Sequence, residues 1–159
     1  MQASKLDRGE LLAVVGGVIL GFSLFIAWYS LGNPYTTLAG CHGPKAFGAG
    51  STSCSGWNAL EVIRFLLLLA ALAPLVLAWI ILRGYALSWP RGELTAVTAL
   101  AALTLIIFRG LIDKPGSPTG EISVSYGWWL AMLGGVMILV GAIWRSQEST
   151  TRRKPPGVL

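Results

Sequence analysis

Few residues in this chain have the types and spacings that chemistry needs. Cys41 and Cys54 stand with twelve residues between them in a stretch rich in Gly, Ser and Pro. On the oxidising side of a membrane two such thiols pair. Closing a loop of that size contributes roughly 3 kcal/mol in the entropy model. His42 is the only other soft ligand nearby, and Cys41, His42 and Cys54 lack a fourth ligand at normal zinc spacing. The expectation is a disulfide, no metal and no cofactor. A second group is charged. Glu61 and Arg64 are three residues apart and share a face if helical. Arg109 has Asp113 four residues on, and Glu121 follows.

These charges matter because of what surrounds them. Arg64 runs straight into Phe65-Leu66-Leu67-Leu68-Leu69, and Arg109 ends another apolar run. An ionisable group at that depth is costly unless it is paired or reaches water, so it is a functional hypothesis by default. Two readings stand side by side. In one, Glu61, Arg64, Arg109, Asp113 and Glu121 form an ion-pair collar that clamps helices. In the other, Arg64 and Arg109 hold an anionic lipid headgroup, a carboxylate or a partner's acidic residue.

The elements that would position these groups are four apolar runs: Leu11–Leu31, Leu60–Leu82, Leu94–Ile112 and Tyr126–Trp144. A helix needs about 20 apolar residues to cross a bilayer. The first run is longer than a secretory h-region and no A-x-A pattern follows it, so a retained helix is expected. Pro74 lies within the second run, where neighbouring membrane helices can re-satisfy the backbone it frees. The fold class expected is all-α: a polytopic membrane protein with a four-helix bundle over residues 1–144. Residues 145–159 form a basic, Pro-rich tail, expected to be disordered. Its Arg152-Arg153-Lys154 would attract anionic lipid at about 1 kcal/mol per charge.

Composition agrees. Hydrophobic residues make up 54% of the chain and charged ones 12%, about half the share of a soluble domain. The formal charge of +5 does not signal nucleic acid, because the basic residues flank apolar runs and do not line one soluble face. They do give direction. Lys5, Arg8, Arg83, Arg91, Arg145, Arg152, Arg153 and Lys154 fall on one side; Lys45, Arg64, Arg109 and Lys114 fall on the other. By the positive-inside rule the first side is cytoplasmic, with both termini inside. Trp28, Trp57, Trp128 and Trp129 are then expected as anchors at the outer interface, and Trp79, Trp89 and Trp144 at the inner one.

Arg8-Gly9-Glu10-Leu11-Leu12-Ala13-Val14 returns as Arg91-Gly92-Glu93-Leu94-Thr95-Ala96-Val97 and opens the third run as it opened the first. This reads as two parallel-repeated hairpins, or as convergence. An Arg before a span and a Glu in its first turn are favoured by topology and by the helix dipole alone. Glu10 and Glu93 are expected to pair locally with basic residues. Gly17 and Gly21 form one G-x-x-x-G, and Gly134 and Gly135 provide small residues on the fourth run. Such positions let membrane helices approach closely, within one chain or between copies.

Four spans, inside termini and a long first outer loop with Cys41 and Cys54 resemble the claudin and tetraspan-type layout, in topology only; the Gly-Leu-Trp signature is missing. The Ala/Leu/Gly-rich spans, Trp28-Tyr29-Ser30 and the tail Arg152-Arg153-Lys154-Pro155-Pro156-Gly157 resemble small membrane proteins of actinobacteria that carry no known activity. That resemblance implies a bacterial plasma membrane and nothing catalytic. No G-x-S-x-G, P-loop, H-E-x-x-H or haem-attachment motif occurs, and no acid or His sits mid-span. The function expected is therefore a non-enzymatic interaction or accessory subunit. Its partners would be the bilayer, an anionic lipid, and a membrane protein or a second copy. The alternative is a small oligomeric transporter or a lipid- or small-molecule-binding protein.

Overall fold

The computed structural model describes residues 7–31, 53–84, 92–115, 120 and 122–151, with side chains described as far as residue 147. The main helices are α1 (Arg8–Ser23), α3 (Ile63–Leu82), α4 (Glu93–Ile107) and α5 (Tyr126–Thr151); α2 (Gly56–Ala59) is a single turn. One π-helical turn, Phe108–Ile112, extends α4. Among the described residues three helical stretches are long and apolar enough to cross a membrane: Ile63–Leu82, Glu93–Ile112 and Tyr126–Gln147.

The first run departs from expectation. Its helix stops at Ser23, and the chain turns and becomes a strand, β1 (Ala27–Leu31). Sixteen helical residues rise only about 24 Å, short of the roughly 30 Å apolar core of a bilayer. The residues at the switch explain it. Trp28 and Tyr29 are aromatic types that favour a pleated strand, and partners stand on both sides. β2 (Ser53–Ser55) and β3 (Ile122–Val124) flank β1 antiparallel, in the order β2-β1-β3. Tyr29 lies opposite Cys54 on one edge and Val124 on the other. The chain is mostly helical, as expected, with a small three-stranded sheet that the expectation did not include. Apolar content alone cannot distinguish a helical run from a short buried strand.

The chain is inside out in its burial. Each helix repeats a buried stripe: Gly9, Ala13, Gly16, Gly17 and Leu20 on α1; Leu67, Ala70, Ala71, Pro74 and Ala78 on α3. The opposite faces are not polar. Leu11, Phe22, Phe65, Leu69, Val97, Leu111 and Trp129 are exposed. In water this much exposed apolar surface is a liability, whereas in hydrocarbon it is the expected exterior. α1 and α4 both run along α5, with their starts beside its C-terminal half: Gly9 meets Gly141, and Gly92 meets Ala142. α5 also runs to Thr151, past the end expected at Trp144 and into the stretch read as a disordered tail.

Candidate functional site: two charged ends of the bundle

At the sheet end, backbone groups released by short elements are met by aromatic side chains. Trp28 donates from Nε1 to the Ser23 carbonyl at 2.8 Å, at the end of α1. Trp128 donates from Nε1 to the Ile106 carbonyl at 2.9 Å, beside the π turn. The Tyr29 hydroxyl donates to the Arg109 carbonyl at 2.9 Å. Last-turn carbonyls of a helix lack intrahelical partners, and in an apolar setting each orphan would cost several kcal/mol. Trp28 and Trp128 are therefore buried structural donors rather than interface anchors. Trp129, Trp79 and Trp144 are exposed, as expected of anchors. Trp89 lies outside the described residues.

The expected collar divides. Arg109 pairs with Asp113 within its own turn and also donates to the Asp113 carbonyl at 3.3 Å. Arg64 makes no ion pair among the described residues. Its Nη1 donates to the Trp57 carbonyl at 3.1 Å, and its guanidinium lies 5.1 Å from the Trp57 ring and 4.8 Å from the Phe65 ring. Glu61 is exposed and pairs with neither arginine. Glu121 and Cys41 lie outside the described residues, as does His42. Cys54 is buried on β2, and no free thiol occurs among the described residues.

The deepest charge pair is at the other end, the side on which Glu10 was expected to meet basic residues. Glu10 meets Arg145 of α5 at 3.0 Å, both largely buried. This is a long-range contact, not the local pairing expected. Glu10 also accepts the Asp7 backbone N–H at 3.3 Å while the Asp7 side chain caps the helix in return. Thr95 is buried nearby, and Glu10, Thr95 and Arg145 border a cavity of about 10 Å³, the space of one water. The second copy of the motif keeps the glycine and loses the cap: Gly92 has no side-chain cap bond, and Glu93 is exposed.

The glycines expected to pack helices do so unequally. A Cβ on Gly17 would stand 2.5 Å from the Ala71 carbonyl oxygen, and one on Gly134 2.7 Å from the Leu20 nitrogen. One on Gly135 would meet a Leu103 methyl at 2.7 Å, and one on Gly21 only the Ala71 Cβ at 3.7 Å. Among the described residues no group of three His, Cys, Asp or Glu could hold a metal. No protein-family model, curated protein or solved structure matches the chain.

Proposed function

We propose that this is a non-enzymatic, multi-pass protein of a bacterial plasma membrane that serves as an interaction or accessory subunit. In this reading α1, its turn and β1 make the first of four crossings. Both termini are cytoplasmic, and the sheet end faces outward with Cys41 and Cys54 joined above it. A strand at membrane depth is tolerable only where protein satisfies its backbone, and β1 is paired on both sides. The observation that carries the accessory role is the filled interior. Leu20, Leu67, Ala71, Ala99, Ile106, Ala131 and Ile138 are buried between the two charged ends. A transporter, the alternative, needs a polar path from the level of Arg64 and Arg109 to the opposite end. Among the described residues the cavity beside Glu10 holds about one water and is lined at its core side by Ala13, Leu77 and Ala78.

Purification from the native membrane in mild detergent tests this. The expected result is a stoichiometric membrane-protein partner identified by mass spectrometry. Recovery of the chain with neither partner protein nor lipid would sink the proposal.

A further inference from the structure

Of the described arginines Arg8 and Arg83 are exposed; the other three are half-buried, and two of these have carboxylates: Arg109 has Asp113, and Arg145 has Glu10. Arg64 has none. Its Nε is buried without an acceptor, as is that of Arg109, and its Nη1 donates to the Trp57 carbonyl. Trp57 and Phe65 flank the guanidinium, and Phe25 stacks on Trp57 at 5.4 Å. Ring faces attract the cation but do not accept its in-plane N–H bonds. The second N–H of Nη1 and the two of Nη2 therefore call for an anion with paired oxygens, which a guanidinium fork binds in bidentate fashion. The wall around it is apolar and open: Phe25, Val62, Phe65 and Leu66 are 47%, 72%, 55% and 50% exposed.

We infer that Arg64 and the Trp57–Phe65–Phe25 cluster bind the phosphate of an outer-leaflet anionic phospholipid, whose acyl chains lie along that apolar wall. The guanidinium supplies charge and fork, and the rings hold it at headgroup depth. A free phosphate would satisfy the fork and leave the wall unused. The inference rests on the membrane reading above but not on the accessory role.

The test is native mass spectrometry of the purified full chain in mild detergent, titrated with phosphatidylglycerol. Wild type is expected to retain the lipid at least five-fold better than Arg64→Ala. Arg64→Lys, which keeps charge without the fork, should fall between them. Arg109→Ala, whose head is already engaged by Asp113, should bind like wild type. Each variant is first shown to melt cooperatively, and Arg64→Lys carries the test if Arg64→Ala does not fold. Equal retention by wild type and the folded Arg64 variants would overturn the inference. Loss of the wild-type adduct on adding millimolar inorganic phosphate would also overturn it, in favour of a free anion. A chain that stays monodisperse without detergent would sink the membrane reading itself, whatever Arg64 does.

Discussion

Gly9 and Gly92 give the repeated Arg-Gly-Glu a physical meaning. A Cβ on Gly9 would lie 2.8 Å from the Gly141 carbonyl oxygen, and one on Gly92 2.9 Å from that of Ala142. Two helix starts thus press their backbones onto adjacent residues of the same helix. Side chains cannot move out of the way, because the obstacle is backbone. Gly9→Ala and Gly92→Ala are each expected to destabilise the detergent-solubilised fold by roughly 1–3 kcal/mol, the usual overpacking cost. Gly21→Ala, with ordinary contact at 3.7 Å, is expected to be neutral or to gain up to about 1 kcal/mol of helix propensity. Chemical unfolding of the three variants side by side checks the order. If Gly9→Ala were as stable as Gly21→Ala, the close approach would be wrong.

The same residue scale holds the buried ion pair. Removing one partner leaves a buried charge alone, so Glu10→Gln is expected to cost about 3–5 kcal/mol. Replacing both ends with apolar side chains, Glu10→Leu with Arg145→Met, should recover most of that loss, since a buried pair is worth little over a well-packed apolar one. A double-mutant cycle of unfolding free energies measures this. A double variant no more stable than Glu10→Gln would mean that the Asp7 cap, and not the ion pair, is what Glu10 supports.

At the scale of elements, the sheet end depends on indole N–H groups reaching helix-end carbonyls. Trp128 ties α5 to the end of α4 through the Ile106 carbonyl, so Trp128→Phe keeps most of the apolar bulk and strands the acceptor. Stranding a buried acceptor costs about 1–3 kcal/mol. Amide exchange is expected to rise around Phe108–Ile112 and to stay low in the middle of α1; a uniform rise would show global loosening instead. How far the sequence reveals the fold follows from the same physics. The second, third and fourth runs were legible because length and composition decide a membrane helix. The end of α1 was not, because Phe25 to Leu31 is as apolar as a helix, and strand pairing with residues 53–55 and 122–124 is non-local. Arg109–Asp113 was legible as an i, i+4 pair. Glu10–Arg145 was not, because nothing local marks which distant arginine a first-turn glutamate meets. The lack of a carboxylate at Arg64 was not legible either, since Glu61 at i−3 is spaced as a ready partner yet stands exposed.

At the scale of the whole molecule, the two ends differ in kind. The sheet end carries the strands, Cys54, Arg64 and Arg109; the other end carries both helix starts, the Glu10–Arg145 pair and a small cavity. Orientation decides which end meets a partner outside the cell. The proposed topology, drawn from the positive-inside bias, has the helix starts in the cytoplasm, and this is testable without knowing the function. Glu61 and Glu93 are exposed and lie at opposite ends of the bundle, so each is a labelling position that disturbs no recorded pair. With Cys41 and Cys54 replaced by Ser, Glu61→Cys is expected to react with a membrane-impermeant maleimide in intact cells. Glu93→Cys should react only after permeabilisation. Those replacements would also remove the proposed disulfide, worth roughly 3 kcal/mol at this loop size, so each label is scored only on protein that remains in the membrane fraction and elutes as a single species. The reverse pattern would turn the protein over. It would put Arg64 at the inner leaflet and the cysteines in a reducing compartment. Reaction of both sites in intact cells would mean that α3, the helix between them, does not complete a crossing.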